Sequence, residues 1–442
     1  MLTIEVMSRA TNMAMLIAGR AVQGVGGSGI FVIGETIIGD LVPLRERGNY
    51  FAIRFTMISA GTAFGPLFGG LLVSYSTWRW AFYLGLPIGS LVLVLLFVFL
   101  QVNYDNSRTL AAKISSIDWL GMAIFIGASS SVLISLSWAG GRYSWSSYEV
   151  FVPLVVGVVA LVGFVALEAS PFVANPMIPL YLFANPITAV TFVLFFIEGM
   201  MIPWTAYFLP VYFQVLLPGM LTHGPAAITG GLLLAKFGRY KPIIVVSFSL
   251  RVVGTGLFLL LDENSSTGAW VGFQIIKSIG GGLAVPTLMP AFLAPLTDKD
   301  TAIATATSIF VYSFGGILGA AIASTIFSSR AAQLAGSGAI SSNATVAAEF
   351  MAGGAYQHAT AKFIDSLSIE TRAQVVMVQR SALQRLWQVG IAFAALGLIA
   401  AAMLKEVPLR KELNSEFRMI EKDKRNKEMV EITVKEASAS TA

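Results

Sequence analysis

The sequence predicts an all-α polytopic membrane protein, and three observations carry that prediction. Of 442 residues, 56% are hydrophobic and 12% charged, with a mean hydropathy of +0.75, whereas soluble chains carry roughly 25% charged residues. Eleven apolar stretches approach the roughly 20 residues that a helix needs to cross a bilayer core. None shows the alternation of a membrane barrel strand, and in lipid a helix satisfies its backbone groups within its own segment.

In order, the stretches are residues 13–38, 51–74, 80–100, 117–138, 150–168, 187–209, 222–236, 242–261, 269–294, 303–327 and 386–404. The first contains "MLIAGRAVQGVGGSGIFVIG", Met15 to Gly34, with Arg20 and Gln23 among glycines, and then Glu35. In the second, glycine recurs every four residues at Gly61, Gly65 and Gly69. The sixth carries Glu198, the eighth Arg251 and the ninth Lys277. The seventh is short for a span. The opening "MLTIEVMSRATN" is too short and too polar for a cleavable signal peptide.

The net charge of +5 is concentrated near the end, with nine of the 29 lysines and arginines in residues 405–442. Beside membrane spans, such charge sets orientation, and no nucleic-acid partner is expected. With the tail cytoplasmic, the inner loops hold Arg45, Arg47, Arg108, Lys113, Lys236, Arg239, Lys241 and Lys299, against Arg79 and Arg142 in the short outer loops. The two N-x-[ST] sequons, at Asn264 and Asn343, then both fall outside as candidate glycosylation sites. Cysteine is absent and the histidines are only His223 and His358. That excludes disulfides and thiolate sites and argues against a metal centre. Neither G-x-x-x-x-G-K-[ST] nor H-E-x-x-H occurs, so no cofactor is expected and the chain does not read as an enzyme or an ATP-driven pump.

Two pairs of segments recur in order at nearly one spacing. "AVQGVGGSG" (Ala21 to Gly29) aligns with "IIKSIGGGL" (Ile275 to Leu283), and "AFGPLFGG" (Ala63 to Gly70) with "SFGGILGA" (Ser313 to Ala320). The pattern predicts a duplicated bundle of two parallel halves. Carried backwards, the same offset leaves the spans of residues 187–261 without first-half partners.

The motifs resemble those of the major facilitator superfamily, specifically its fungal fourteen-span drug:proton antiporter branch. They are "LIAGRAVQGVGG" at Leu16, like the family's fourth-span motif, and "GTAFGPLFGG" at Gly61, like its fifth-span antiporter signature. "LVPLRERG", "WRWAFYLGLPIG", "IDWLG", "YFLPVYFQ" and "GLLLAKFGRYKP" add to the combination. The resemblance implies a two-half helical bundle of about 11 transmembrane helices, lacking the first three of an expected 14. Its layout is a remnant of a preceding span at 1–12, a partial N-terminal half at 13–100 and a two-span linker region at 101–186. The C-terminal half follows at 187–327, then a long polar outer loop at 328–385, the last span at 386–404 and a cytoplasmic tail at 405–442.

Several residues are candidates for function. A mid-helix arginine costs roughly 2.5 kcal/mol or more in lipid, so Arg20, with Gln23 one turn on, is expected to face a translocation path; snorkelling to the headgroups is the alternative. The resemblance places Arg20 on the family's motif arginine. Gly61, Gly65 and Gly69 on one face, with Pro66 bending the helix, form a packing motif. Glu198, if partly desolvated, suits proton coupling, or is simply solvated. Glu35 and Lys277 are weaker candidates, each of which fits as a member of some structural ion pair, and Arg251 fits the cytoplasmic surface. Trp204, Tyr207, Tyr212 and Gln214, with Phe208 and Phe213, fit either a substrate cavity or an interfacial aromatic belt. Lys236, Gly238, Arg239 and Lys241 form a cytoplasmic loop that serves as a latch or as a topology anchor.

The expected activity is secondary active efflux of a small amphipathic organic compound, driven by the proton gradient. The expected partners are the lipid bilayer and that substrate, and the chain is expected to be a monomer in the plasma membrane or the vacuolar membrane. The competing expectation is a non-transporting fragment of such a transporter.

Overall fold

The computed structural model describes residues 10–42, 46–99, 109–173, 175–215, 239–262, 265–297 and 300–408. The helices are α1 (Met13–Leu41), α2 (Arg47–Tyr75), α3 (Trp80–Tyr83), α4 (Gly85–Phe99), α5 (Leu110–Ser115), α6 (Trp119–Trp138) and α7 (Tyr148–Glu168). After these come α8 (Pro186–Val215), α9 (Lys241–Leu257), α10 (Thr267–Leu293), α11 (Thr301–Gly336), α12 (Ala344–Met351), α13 (Ala361–Asp365) and α14 (Ile369–Met403). Among the described residues nine helices are long and apolar enough to cross a membrane. They match nine of the expected spans; α2 forms at the position of the second, and residues 222–236 lie outside the described residues.

Local chemistry fixes where several helices begin. Asn12 Oδ1 accepts from the Met15 amide at 2.8 Å, Asp118 Oδ1 from Gly121 at 2.9 Å and Ser266 Oγ from Ala269 at 3.3 Å. Each supplies an acceptor to an amide that the first helical turn leaves unpaired. Inside the helices, Thr191, Thr287 and Thr307 return their hydroxyl protons to carbonyls four residues back, at 2.7, 2.8 and 2.9 Å. This satisfies polar groups that water does not reach.

The chain forms two compact units. Of the described residues, the first takes those within 1–43 and 61–114, and the second those within 44–60 and 115–410. In the first, the Arg20 guanidinium lies 5.0 Å from the centre of the Phe82 ring, and Arg79 Nη2 donates to the Ala10 carbonyl at 3.3 Å. In the second, α6 and α7 form a hairpin that packs through α6 on α11. The helices α8, α9, α10, α11 and α14 make a bundle in which α8 lies against α10, α11 and α14, and α9 lies against α10 and α14.

Two spans are longer than their apolar stretches suggest. Helix α11 runs to Gly336 rather than ending at 327, and α14 starts at Ile369 rather than 386. The segment 328–385, expected as a polar loop, is therefore largely helical, with α12 and α13 between these extensions. Ser368 Oγ caps α14 by accepting from the Thr371 amide at 3.4 Å. Val375, Val378, Ala382 and Leu386 then follow at three- and four-residue intervals and enter one buried cluster with Phe208, Phe327 and Phe350.

Candidate functional site

Three embedded charges that lie far apart in the sequence meet where α8, α9 and α10 pack. Arg251 of α9 forms an ion pair with Glu198 of α8, and both side chains are buried. Lys277 of α10 is buried beside them and donates to the Thr205 hydroxyl of α8. Its Nζ also sits 5.2 Å from the Phe258 ring centre and 5.4 Å from that of Trp387, a cation–π arrangement. Glu198 interacts electrostatically with both cations, so one carboxylate serves two positive charges. Glu198 Oε2 and Arg251 Nε have no hydrogen-bond partner among the described residues.

Small residues bring the backbones of α9 and α10 close together at this meeting. A Cβ on Gly254 would lie 2.7 Å from the Lys277 Cα, and one on Gly280 would lie 2.8 Å from the Ser247 carbonyl oxygen. Ser247 Oγ donates to that neighbouring Gly280 carbonyl at 2.5 Å, linking α9 and α10 directly. The crossing of α8 and α11 is built the same way: a Cβ on Gly315 would stand 3.1 Å from the Phe196 carbonyl carbon, and one on Gly319 would stand 2.7 Å from the Met200 Cα. Larger side chains at these positions would force the helices apart.

The placement of the other candidates differs from residue to residue. Neither Arg251 nor Glu198 is solvated: each is the other's buried partner. Lys277 joins this same cluster. Arg20 is exposed and donates through Nη1 to Gln23 Oε1 at 3.0 Å. A Cβ on Gly61, Gly65 or Gly69 would meet no atom within 4 Å among the described residues. Among the described residues the face of α2 expected to pack closely has no such contact, and the Pro66 side chain is outside the described residues.

Trp204 and Tyr212 are packed into the bundle core rather than lining a cavity, with Trp204 edge-on to Phe393 and the Tyr212 hydroxyl donating to the Asp262 carbonyl at 3.0 Å. Tyr207 is exposed, and the Gln214 side chain lies outside the described residues. Of the loop candidates, Lys236 and Gly238 are outside the described residues, as is Asn264. Arg239 lies 3.6 Å from Glu406, just beyond α14, and Lys241 opens α9. Next to them the Tyr240 hydroxyl donates to the Lys405 carbonyl at 2.9 Å and accepts from the Val407 amide at 2.7 Å. Burial pushes the Tyr240 hydroxyl pKa up, so the phenol stays neutral in this tie between the two helix ends. Asn343 caps α12, its Oδ1 accepting from Thr345 and Val346 at 3.1 and 3.2 Å.

Sequence reasoning missed Thr205 and Trp387, which complete the surroundings of Lys277. The internal repeat signals Lys277 itself but neither of these two, since its alignment pairs Gln23 with Lys277 and, one turn earlier, Arg20 with Gln274. Each copy thus puts one basic and one amide side chain three residues apart on the glycine-rich helix.

Comparisons with known proteins agree with this architecture. A profile of the Major Facilitator Superfamily matches residues 1–220. The chain is 49% identical over 425 residues to the MFS-type transporter pydD of Acremonium sp, covering 93% of this chain and 74% of that protein. It is 39% identical over 434 residues to the efflux pump FUS6 of Gibberella moniliformis, covering 95% and 77%. It is 38% identical over 427 residues to the acurin A biosynthesis cluster MFS-type transporter of Aspergillus aculeatus, covering 93% and 76%. Identity of this extent, on an all-helical frame with buried charges where helices cross, leaves one assignment: the chain belongs to the major facilitator superfamily and is a multi-pass membrane transporter.

Proposed function

We propose that the chain exports a small amphipathic organic compound, a fungal secondary metabolite or toxin, by proton-coupled alternating access at the plasma membrane. Glu198 is the proton carrier in this reading. The observation that carries it is the buried group of Glu198, Arg251 and Lys277. Ionisable groups inside spans are costly and are characteristically retained for ion or substrate movement.

The chemistry follows from the charge balance. While ionised, Glu198 holds Arg251 and offsets part of the Lys277 charge. A proton on Glu198 would cancel that attraction and leave two neighbouring cations to repel each other. Helices α8, α9 and α10 would then favour a different packing. The names of the relatives support export: one is an efflux pump and another belongs to the biosynthesis cluster of a single compound.

The test is expression of the chain in a yeast lacking its own drug pumps, with accumulation of a panel of amphipathic toxins measured beside an empty vector. Lower accumulation is expected, abolished by a protonophore and by Glu198→Gln, and partly kept by Glu198→Asp. Accumulation equal to the vector, with the chain present at the cell surface, would defeat the efflux reading. Export that persists under the protonophore would defeat proton coupling alone.

A further inference from the structure

A cleft of about 1110 Å³ opens between the end of α6, the C-terminal part of α11 and the middle of α14, all within the second unit. It shares no residue with the Glu198 cluster. Leu136, Ile322, Ile326 and Val389 give it an apolar side, and Arg330 and Arg385 give it a cationic one. Among the described residues no aspartate or glutamate lines it.

The two arginines are placed differently from their neighbours. Arg372 pairs with Asp365 at 3.2 Å and Arg380 with Asp262 at 3.7 Å. Among the described residues Arg330 and Arg385 form no ion pair. Each is instead steadied by a neutral amide one turn along its own helix: Arg330 Nη1 donates to Gln333 Oε1 at 2.9 Å, and Arg385 Nη1 to Gln388 Oε1 at 3.3 Å. A guanidinium has five N–H donors, so each retains others for a ligand.

Depth in the membrane narrows the chemistry. The apolar stretch inside α11 ends at 327 and that inside α14 begins at 386, so Arg330 and Arg385 sit just past the apolar boundary on the same side. At 1.5 Å per residue the 36 residues of α11 measure about 54 Å, against a hydrocarbon core of about 30 Å, so the ends of such helices stand in the headgroup layer. The cleft therefore places two cations at headgroup depth beside an apolar surface at the depth of the hydrocarbon core.

We propose that this cleft binds an anionic amphiphile, with its phosphate or carboxylate held by Arg330 and Arg385 and its apolar body along Leu136, Ile322, Ile326 and Val389. Arginine suits this role because its planar fork matches both anions. The proposal concerns binding and stands apart from the efflux reading. The ligand has two sources, an anionic phospholipid or a free amphipathic acid, and the experiment separates them.

The full chain, purified in a neutral detergent, is titrated in one arm with phosphatidylglycerol against phosphatidylcholine, and in the other with dodecanoate against dodecanol. The readout is thermal unfolding. A saturable rise in Tm is expected with the anionic member of at least one pair and not with its neutral counterpart, and the arm that responds identifies the source. Arg330→Gln with Arg385→Gln should weaken the response roughly tenfold or more. Arg330→Lys with Arg385→Lys should keep part of it, and Arg372→Gln, outside the cleft, should keep all of it. Equal responses to anionic and neutral amphiphiles, or a full response in the double glutamine variant, would overturn the proposal. If the glutamine variant does not fold, the lysine variant and the anionic–neutral contrast in the unaltered chain decide the matter.

Discussion

At the scale of single residues, Arg251 shows how a buried charge is kept in a bilayer. Its guanidinium is almost fully withdrawn from solvent and answered by Glu198. Removing one member of such a pair strands the other, which costs about 3–5 kcal/mol, whereas removing both is far milder. Glu198→Gln should therefore destabilise the purified chain by about that amount, and adding Arg251→Met should recover only part of the loss, because buried Lys277 is still left without its carboxylate. Denaturant unfolding in detergent reads both. Equal destabilisation by the single and double variants would mean that the pair does not hold the helices. The individual charges were legible in the sequence, since any acid or base inside an apolar stretch stands out. Their meeting was not, because 53 residues separate Glu198 from Arg251 and 72 separate Thr205 from Lys277.

At the scale of helices, glycine spacing has different consequences in the two copies of the repeat. Gly315 and Gly319 lie against the backbone of α8, while their counterparts Gly65 and Gly69 meet no described atom within 4 Å. Gly315→Ala should cost about 1–3 kcal/mol through overpacking, and Gly65→Ala should change stability by less than about 0.5 kcal/mol. A thermal shift comparison of the two variants checks this, and equal losses would contradict it. Ser368 offers a second test: without its hydroxyl the first turn of α14 loses an acceptor, so Ser368→Ala should cost about 1 kcal/mol in the same assay. The α14 extension was hidden from hydropathy because residues 369–385 alternate charges with apolar positions. Only the buried cluster that receives Val375, Val378 and Ala382 shows why that amphipathic stretch folds as helix.

At the scale of the whole molecule, the distribution of basic residues predicts that Arg239 and Glu406 face the cytoplasm and that the region around Ser341 faces outward. The absence of cysteine makes this directly measurable, because any introduced cysteine is unique. An impermeant maleimide should label Ser341→Cys in intact cells and Arg239→Cys only after permeabilisation; the reverse pattern would invert the topology. Both positions are exposed. The sequence by itself determined the all-helical membrane class, the span positions and the family, because a span must be long, apolar and self-bonded, and these properties are local. It also marked which side chains are out of place in lipid. The tertiary structure alone decided which of them become partners, where glycines let backbones touch and where two arginines face an open cleft. Those outcomes depend on which helix faces meet, and facing is a property of the packed bundle that no single segment encodes.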